Sequence, residues 1–592
     1  MANEDATVWF LAEQQEGKLA PTALGLAAEA RRVARGLESR AAAVLLGDNV
    51  APLATSIPAD TVYLGEDARL TDHSPEAMAA ALAEIVQEGQ PSVLLLAATA
   101  TGNELAPRLA AILGTGLASG CLRIDAGDGG LITMLRPVYG GRASCTVVCP
   151  SRRPQIATLL PDSLSSGGGG EQGEPEVRPL SLRLDGFRQG RFLRRIERPP
   201  PTSLDVTQAE VVVAGGRGIG GPEGFQPLEE LAGLLGGAVA ASRPAVDAGW
   251  AAASRQIGSS GRVVAPQLYI ACGISGATQH VFGMRDSEAV VTINQDAYAP
   301  ITEMAQLALV GNVHDILPPL LDRLRQLPQQ PAFKEFNSPL PPASEGGESD
   351  EGVRCIAVCL SRSLDAEVRF NARNPEEIDA VPRLMGPADL HALEEALAIK
   401  DRSSSLRVVA LHVGPSAAED VLRQALALGA DDAVLLWDEA FVGSDSLATA
   451  RILAAAVHRL DAQIVLCGNR GADGDGGQLP LQLGQLLGAA AMSDVLAIAF
   501  EGGGRVVAHQ ALEWGRQAMV DCLLPAVLAV QPGINRPRYP RLRDVLAAPS
   551  RPVSRWGRTE LGLGEDEVGA TGSAIEVVRV GPPKPVAKRI QS

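Results

Sequence analysis

Aromatic residues make up only 3% of this 592-residue chain. So few bulky flat side chains disfavour a β-sandwich core and suit small-residue packing of helices on parallel sheets, which the 63 glycines also favour. No uninterrupted apolar run reaches the roughly 18 residues of a membrane span. The opening MANEDATVWFLAEQQEGKLA carries acids where a secretion signal needs a basic segment. Together these absences predict a cytoplasmic protein with no direct membrane insertion. Basic residues are also short, 52 against 69 acids for a net charge of −17, which disfavours nucleic acid or an anionic membrane as partner. Histidine is scarce at seven, and the eight cysteines are scattered. The closest pairs, Cys145 with Cys149 and Cys355 with Cys359, are spaced CxxxC inside apparent strands. Residues four apart on a strand share a face but lie roughly 13 Å apart at about 3.3 Å per residue, too far to share a metal. The thiols are therefore expected to be structural and no metal site is expected. No constellation of acid, base and nucleophile marks an independent catalytic reaction, so the chain is not expected to be an enzyme with catalytic residues of its own.

What is present is a recurring grammar of short apolar runs separated by helical patterns. Val8 to Ala12, Ala42 to Leu46, Val93 to Ala98 and Cys145 to Cys149 are such runs, and Leu24 to Leu37 is a helical pattern. Near-continuous apolar runs of this kind are what strands buried on both faces of a parallel sheet look like. The grammar recurs from Glu210 to Leu324 and from Val353 to Ala548, so the fold class is α/β with three domains. Two stretches break it. Ser163 to Pro201 contains four consecutive glycines and a triple proline, and Leu327 to Gly352 is Pro-rich and then acidic. Such composition cannot repay its ordering entropy and predicts linkers, the second being the better candidate for a joint between two fused units. The expected divisions are 1–200, 203–326, a linker at 327–352, 353–548 and an arm at 549–592. In the arm only Ile575 to Val580 shows periodicity, and it is expected to wrap over another domain.

VVVAGGRGIGG from Val211 is a strand running into a Gly-rich turn, which alone fits a dinucleotide site or a ligand-free tight turn equally. The following SRPAVDAGWAAASRQIGSSGRVVAPQLYIACGISGATQHVFGMRDSEAVVTINQDAYAPI, Ser242 to Ile301, resembles the FAD signature of the electron transfer flavoprotein α subunit almost throughout. LAEQQEGKLAPTAL, TGNELAPRLAAILGTGLASGC and RPVYGGRASCTVVCPSRRPQIATLLP resemble the same subunit's N-terminal domain. Past the linker, MGPADLHALEEALAIKD, GPSAAEDVLRQALALGADDAVLL, GNRGADGDGGQLPLQLGQLLG, LLPAVLAVQPGINRPRYPRLRDV and IEVVRVGPPKP resemble the β subunit in order. The chain thus resembles both subunits of that family fused, α-like half first, a pseudo-heterodimer in one chain. The resemblance implies mostly parallel sheets that are Rossmann-like or adenine-nucleotide α-hydrolase-like.

It also implies FAD in the middle domain. There Arg217, the loop Gln256, Ile257, Gly258, Ser259 and Ser260, and the run Ser275, Gly276, Ala277, Thr278, Gln279 and His280 would supply amides, hydroxyls and a cation. Ser242 and Val313 belong to the same set, and Asn294 and Asn312 match positions that hold the adenosine half. Arg243, His280 and Ser260 match the groups that tune the flavin. A permanent charge at Arg243 and a hydrogen bond donated by His280 would both favour the negative charge of a singly reduced ring. Ser259, Ser260 and Asn312 depart from the usual Gln, Thr and Asp.

In the β-like half the family carries a second nucleotide, AMP in ordinary members and a second FAD in electron-bifurcating ones. Asp473, Gly474, Asp475, Gly476, Gly477 and Gln478 match its phosphate loop, with Cys359, Asp365, Gly386, Pro387, Ala388, Asp389 and Val413 around it. The Gly-Asp form resembles bifurcating members, whereas Leu479, Pro480, Leu481, Ser361 and Ala366 replace their larger or specific groups, so AMP is expected ahead of FAD. Ile534 resembles the leucine with which the β subunit engages its partners. Those partners are implied to be flavoprotein dehydrogenases as donors and an electron transfer flavoprotein quinone oxidoreductase as acceptor. The alternative the resemblance leaves open is a bifurcating flavoprotein that oxidises NADH itself.

Overall fold

The computed structural model describes residues 7–15, 17–70, 75–139, 141–164, 175–182, 191–197, 206–207, 209–252, 255–258, 262–285, 287–326, 353–365, 368, 374–402, 406–469, 471, 476–502, 504–512 and 517–582. The expected linker at 327–352 lies outside them. The three largest sheets are wholly or mostly parallel, and the chain divides into two compact units. One is built from Met1–Leu193, Gly346–Ala508 and Val520–Lys584, the other from Arg194–Glu345 with His509–Met519 and Pro585–Ser592. The first and third α/β segments, which the sequence pattern separates by the whole of the second, thus share one unit.

That unit contains the same topology twice. In chain order the N-terminal half supplies Val8–Leu11, Ala41–Gly47, Thr61–Glu66, Val93–Ala97, Leu117–Cys121, Gln155–Leu159 and Glu176–Leu180. They lie side by side as seventh, third, second, first, fourth, sixth, fifth, all parallel. The C-terminal half supplies Cys355–Cys359, Arg407–Val413, Asp432–Leu436, Ile464–Gly468, Ala490–Gly502, Ala526–Val530 and Ser554–Trp556 in the same lateral order, again all parallel. Every residue of Val8–Leu11, Ala41–Gly47 and Val93–Ala97 is buried, the expected mark of strands covered on both faces.

Two expectations need correction. The run Cys145 to Cys149 is not a doubly buried parallel strand. It contributes to Ala143–Val148, in an antiparallel sheet with Arg123–Ala126, Ile132–Val138 and Glu576–Gly581. Its half-buried Thr146 and Val148 give the alternation of an antiparallel strand, which a run of apolar and β-branched residues hides. Glu576–Gly581 is the periodic part of the arm, and it pairs with the N-terminal half. Within the stretch Ser163 to Pro201, Glu176–Leu180 is the outermost strand of the first sheet, paired with Thr61–Glu66. An edge strand needs only one apolar face and tolerates Pro179, so its composition does not differ from that of a linker. Among the described residues no helix is long and apolar enough to cross a membrane.

The two halves meet through equivalent elements. Helix Ala100–Leu113 follows the fourth strand of the first sheet, helix Gln478–Leu487 follows the fourth of the second, and the two pack on each other. Thr99 caps the former by accepting from Gly102 N at 3.0 Å, and Gly114 ends it in the left-handed region. Arg108 on the first helix donates to Ala491 O at 2.7 Å, at the fifth strand of the other half. Gln478 at the start of the second donates to Ser119 Oγ at 2.7 Å, on the fifth strand of the first. Like elements contacting like in both directions is the arrangement of an isologous dimer, here within one chain.

In the second unit six strands, Val211–Gly215, Ala238–Ser242, Gln256–Ile257, Leu268–Cys272, Ala289–Asn294 and Leu307–Val310, are parallel. Their lateral order is third, second, first, fourth, fifth, sixth. The order reverses between the first and fourth strands, and ligands of open α/β sheets bind at the carboxyl ends beside such a switch point.

Candidate functional site

The residues singled out for FAD come together at the carboxyl ends of these six strands. Arg217 follows the first strand, Ser242 ends the second with Arg243 next, Gln256 to Gly258 form the third and its end, and Ser275 to His280 follow the fourth. Asn294 ends the fifth, and Asn312 with Val313 follows the sixth. Ser259 and Ser260 lie outside the described residues.

The cradle between the first and fourth strands is built from glycine. Gly216 N donates to Cys272 O at 2.9 Å, and Gly218 N to Gly273 O at 3.0 Å. A Cβ at Gly216 would stand 2.3 Å from Gly273 O, and one at Gly273 would stand 2.6 Å from Gly218 Cα. Gly273 also has φ +61°, a left-handed conformation that side chains disfavour. Without side chains at these glycines the turn leaves room for a pyrophosphate to approach the backbone closely, beside the exposed Arg217. Neither Gly216 nor Gly273 stood out in the sequence as a site residue, because their role is defined by contact with each other.

Arg217 is exposed, and Arg243 is exposed with Asp247 as a loose partner at 3.4 Å. Both cations are accessible to a ligand. The two asparagines are engaged by the protein itself. Asn294 donates to Ile274 O at 2.7 Å and accepts from Asp296 N at 3.0 Å. Asn312 accepts from His314 N at 3.0 Å, at the start of helix Val313–Gln326. The side-chain oxygen of each orders a loop at the crevice, so a ligand would meet the loops these residues shape.

His280 is buried in the short helix Thr278–Phe282. Its Nε2 lies 2.9 Å from the Tyr269 hydroxyl, and its buried Nδ1 has no hydrogen-bond partner. Burial pushes its pKa down to about 4, against a smaller upward pull from the Ile257 backbone. The ring is therefore neutral at ordinary pH. An orphaned buried nitrogen at the same end of the sheet as a glycine cradle is what a site built for a ligand with polar ring edges presents, so the residues fit FAD.

The second crevice lies at the carboxyl ends of Cys355–Cys359 and Ile464–Gly468, the central switch point of that sheet. Cys359, Val413 and Gly386 with the first residues of helix Pro387–Arg402 stand around it, and Gly476 and Gly477 lead into helix Gln478–Leu487. Asp473, Gly474 and Asp475 lie outside the described residues, as does Ala366. Asp389 is buried, and its carboxylate bridges the crevice. It accepts from Ser361 N at 2.7 Å, from the Ser361 hydroxyl, and from Gly468 N at 2.9 Å. Ser361 and Asp389 are thus bound to each other across the two strand ends. The side chain of Gln478 is turned to Ser119 of the N-terminal half, leaving its backbone at the helix start. Asp365 is reached from that half too, its carbonyl accepting from Arg142 Nη1 at 3.2 Å.

Ile534 is half-buried, whereas three neighbours are open to solvent. Tyr539 is 95% exposed, Leu542 74% and Leu546 72%. The segment that carries them is fastened to helix Pro387–Arg402. Asn535 donates to Glu395 Oε2 at 2.9 Å and to His391 O at 3.0 Å, and Arg538 grips Glu394 at 2.9 Å and Asp401 at 2.8 Å. The pattern of Leu542 and Leu546, four apart in a short helix, was legible in the sequence, but only their exposure separates them from ordinary core leucines.

A family model described as electron transfer flavoprotein domain matches residues 8–182 and again 378–561. A second, described as electron transfer flavoprotein FAD-binding domain, matches 205–285. The chain is 38% identical over 328 residues to an electron transfer flavoprotein subunit alpha of Thermoanaerobacterium thermosaccharolyticum, covering 55% of this chain and 99% of the relative. It is 38% identical over 326 residues to protein FixB of Clostridium saccharobutylicum, covering 54% of this chain and 96% of the relative. With the subunit alpha of Bacillus subtilis the figures are 34% over 324 residues, 54% and 98%. The two matches fall on the two halves that share the seven-strand parallel order, the second beginning after Cys355–Cys359 in a sheet that carries three further strands.

Proposed function

Since the chain belongs to the electron transfer flavoprotein family, we propose that it takes electrons from flavoprotein dehydrogenases and passes them singly to a membrane quinone oxidoreductase. The observation that carries this is the 3-2-1-4-5-6 sheet whose switch point is lined by glycine and falls inside the FAD-binding match. FAD, when bound, supplies the one-electron chemistry. The chain's own residues do the rest. The side-chain-free backbone at Gly216 and Gly218 would give the pyrophosphate room, and the Arg217 guanidinium would hold it. The permanent charge of Arg243 would favour added electrons on the ring, and His280, being neutral, would contribute a hydrogen bond and no charge.

For the second crevice the reading is AMP held as structure. The Asp389 bridge supports the smaller ligand, because a carboxylate already joins the strand ends beside which a second ring system would need room. Nucleotides released on denaturation and separated by chromatography test both sites at once. Near-equal FAD and AMP is expected. Two FAD per chain without AMP would overturn the assignment and promote the bifurcating alternative, and absence of FAD would sink the carrier reading.

The docking anchor is Leu542 with Leu546, not Ile534. The surface beside them holds a pocket of about 460 Å³ bordered by Leu428, Arg538, Tyr539 and Asp544, and its supports on helix Pro387–Arg402 hold it in place before any partner arrives. Truncating a central apolar anchor costs ~1–2 kcal/mol in a small interface, about tenfold in affinity. Leu542→Ala should therefore slow electron uptake about tenfold at limiting dehydrogenase concentration and leave the flavin spectrum unchanged. Ile534→Ala should have a smaller effect. Equal uptake by wild type and Leu542→Ala across a concentration range would rule this surface out.

A further inference from the structure

Tyr269 lies in the strand Leu268–Cys272, fully buried, and its hydroxyl has one partner among the described residues, His280 Nε2 at 2.9 Å. Burial raises its pKa, so the phenol is protonated at ordinary pH. A neutral imidazole carries its proton on one nitrogen, and a buried phenol needs an acceptor for its own. Two arrangements are possible. If Nε2–H donated to the phenolic oxygen, the phenol proton would be left without an acceptor in the core and Nδ1 would be a buried lone pair without a donor. If the phenol donates to Nε2, its proton is satisfied, the imidazole proton stands on Nδ1, and one buried group remains to be matched. The second arrangement leaves fewer polar atoms unsatisfied. A doubly protonated ring is excluded by the pKa of about 4 that burial imposes.

We propose that Tyr269 is a positioning residue of the flavin site: its phenol donates to His280 Nε2, fixes the Nδ1–H tautomer, and so makes Nδ1 a hydrogen-bond donor to the bound flavin. This rests on the FAD reading of the second unit. The pairing accounts for a buried Nδ1 that makes no well-formed hydrogen bond in the protein alone, where the Ile257 backbone exerts only the smaller pull on the ring, and the bound ligand would supply the stronger acceptor. A donor suits a ring that gains negative charge on reduction, whereas the other tautomer would present a lone pair to it. Tyr269 touches no ligand in this scheme and acts through His280.

The test is NMR of the full chain carrying ring-¹⁵N histidine, with the His280 signals assigned by their loss in His280→Gln, recorded with and without FAD. Wild type should show the Nδ1–H form in excess by about fivefold or more, the ratio set by one unsatisfied buried donor at the low end of its range. Tyr269→Phe, which keeps the ring and removes the hydroxyl, should bring the two tautomers to comparable populations and lower the reduction potential of bound FAD. A wild-type proton on Nε2, or a ratio unchanged in Tyr269→Phe, would overturn the proposal. FAD content measured on the same samples keeps the two readings apart: wild type without FAD sinks the flavin reading, while the tautomer in the ligand-free chain still decides the pairing.

Discussion

Arg108→Ala is expected to lower the unfolding free energy by about 3–5 kcal/mol, the cost of removing one member of a buried ion network. The Arg108 side chain is only 1% exposed. Its guanidinium donates to Glu104 Oε2 at 2.6 Å, to Glu76 Oε1 at 3.3 Å and to Ala491 O at 2.7 Å, while Glu104 Oε1 accepts from Ser493 Oγ at 2.6 Å. Alanine would leave two carboxylates and a carbonyl in the interface between the halves without their cation. That deficit is larger than the lost attraction itself, because each group gave up its water on folding. Arg108→Lys should fall in between, since an ammonium keeps the charge but cannot span three acceptors in fixed directions. Urea unfolding followed by circular dichroism reads the effect. A midpoint unchanged in Arg108→Ala would show that the network is not under the burial it has in this structure.

Gly216→Ala should lower FAD affinity by at least about fivefold, the result of overpacking that costs roughly 1–3 kcal/mol. The backbone at Gly216 is extended and any residue could adopt it. The obstacle is contact alone. The new Cβ would meet Gly273 O at 2.3 Å and Ile274 Cγ1 at 2.8 Å, and a carbonyl belonging to a neighbouring strand cannot rotate away as a side-chain tip can. The first and fourth strands must separate at the switch point, where the two glycine turns are held together by Gly216 N to Cys272 O and Gly218 N to Gly273 O. Gly273→Ala should cost more, because a left-handed φ adds strain of about 1–2 kcal/mol to a similar clash. FAD titrated into the ligand-free variant and followed by flavin fluorescence gives the affinity directly, and a value equal to wild type would remove the glycine cradle from the binding site.

Much of this molecule is determined locally and could be read from the chain. Val8–Leu11 and Val93–Ala97 are strands because continuous apolar runs have nowhere to go but a doubly covered sheet. YIACGISGATQH marks the turn after the fourth strand of the second unit because a cradle of backbone amides needs small residues in a narrow order. The tertiary structure decided the rest, and in each case because the deciding quantity is a relation between distant residues. Glu176–Leu180 is a strand only by virtue of Thr61–Glu66 beside it, and the arm strand Glu576–Gly581 only by virtue of Ala143–Val148. That the two flanking segments share one unit depends on Arg108 finding Ala491 and Gln478 finding Ser119, pairs more than 350 residues apart in the chain. Exposure separates Leu542 from Ile534, which composition could not. The asparagines at 294 and 312 and Asp389 read as ligand contacts in the sequence, yet in the fold their side-chain oxygens accept backbone N–H groups at strand ends and a helix start. A polar side chain at a crevice can serve the loop as well as a ligand, and the loop contact becomes visible only once the nearest N–H is placed.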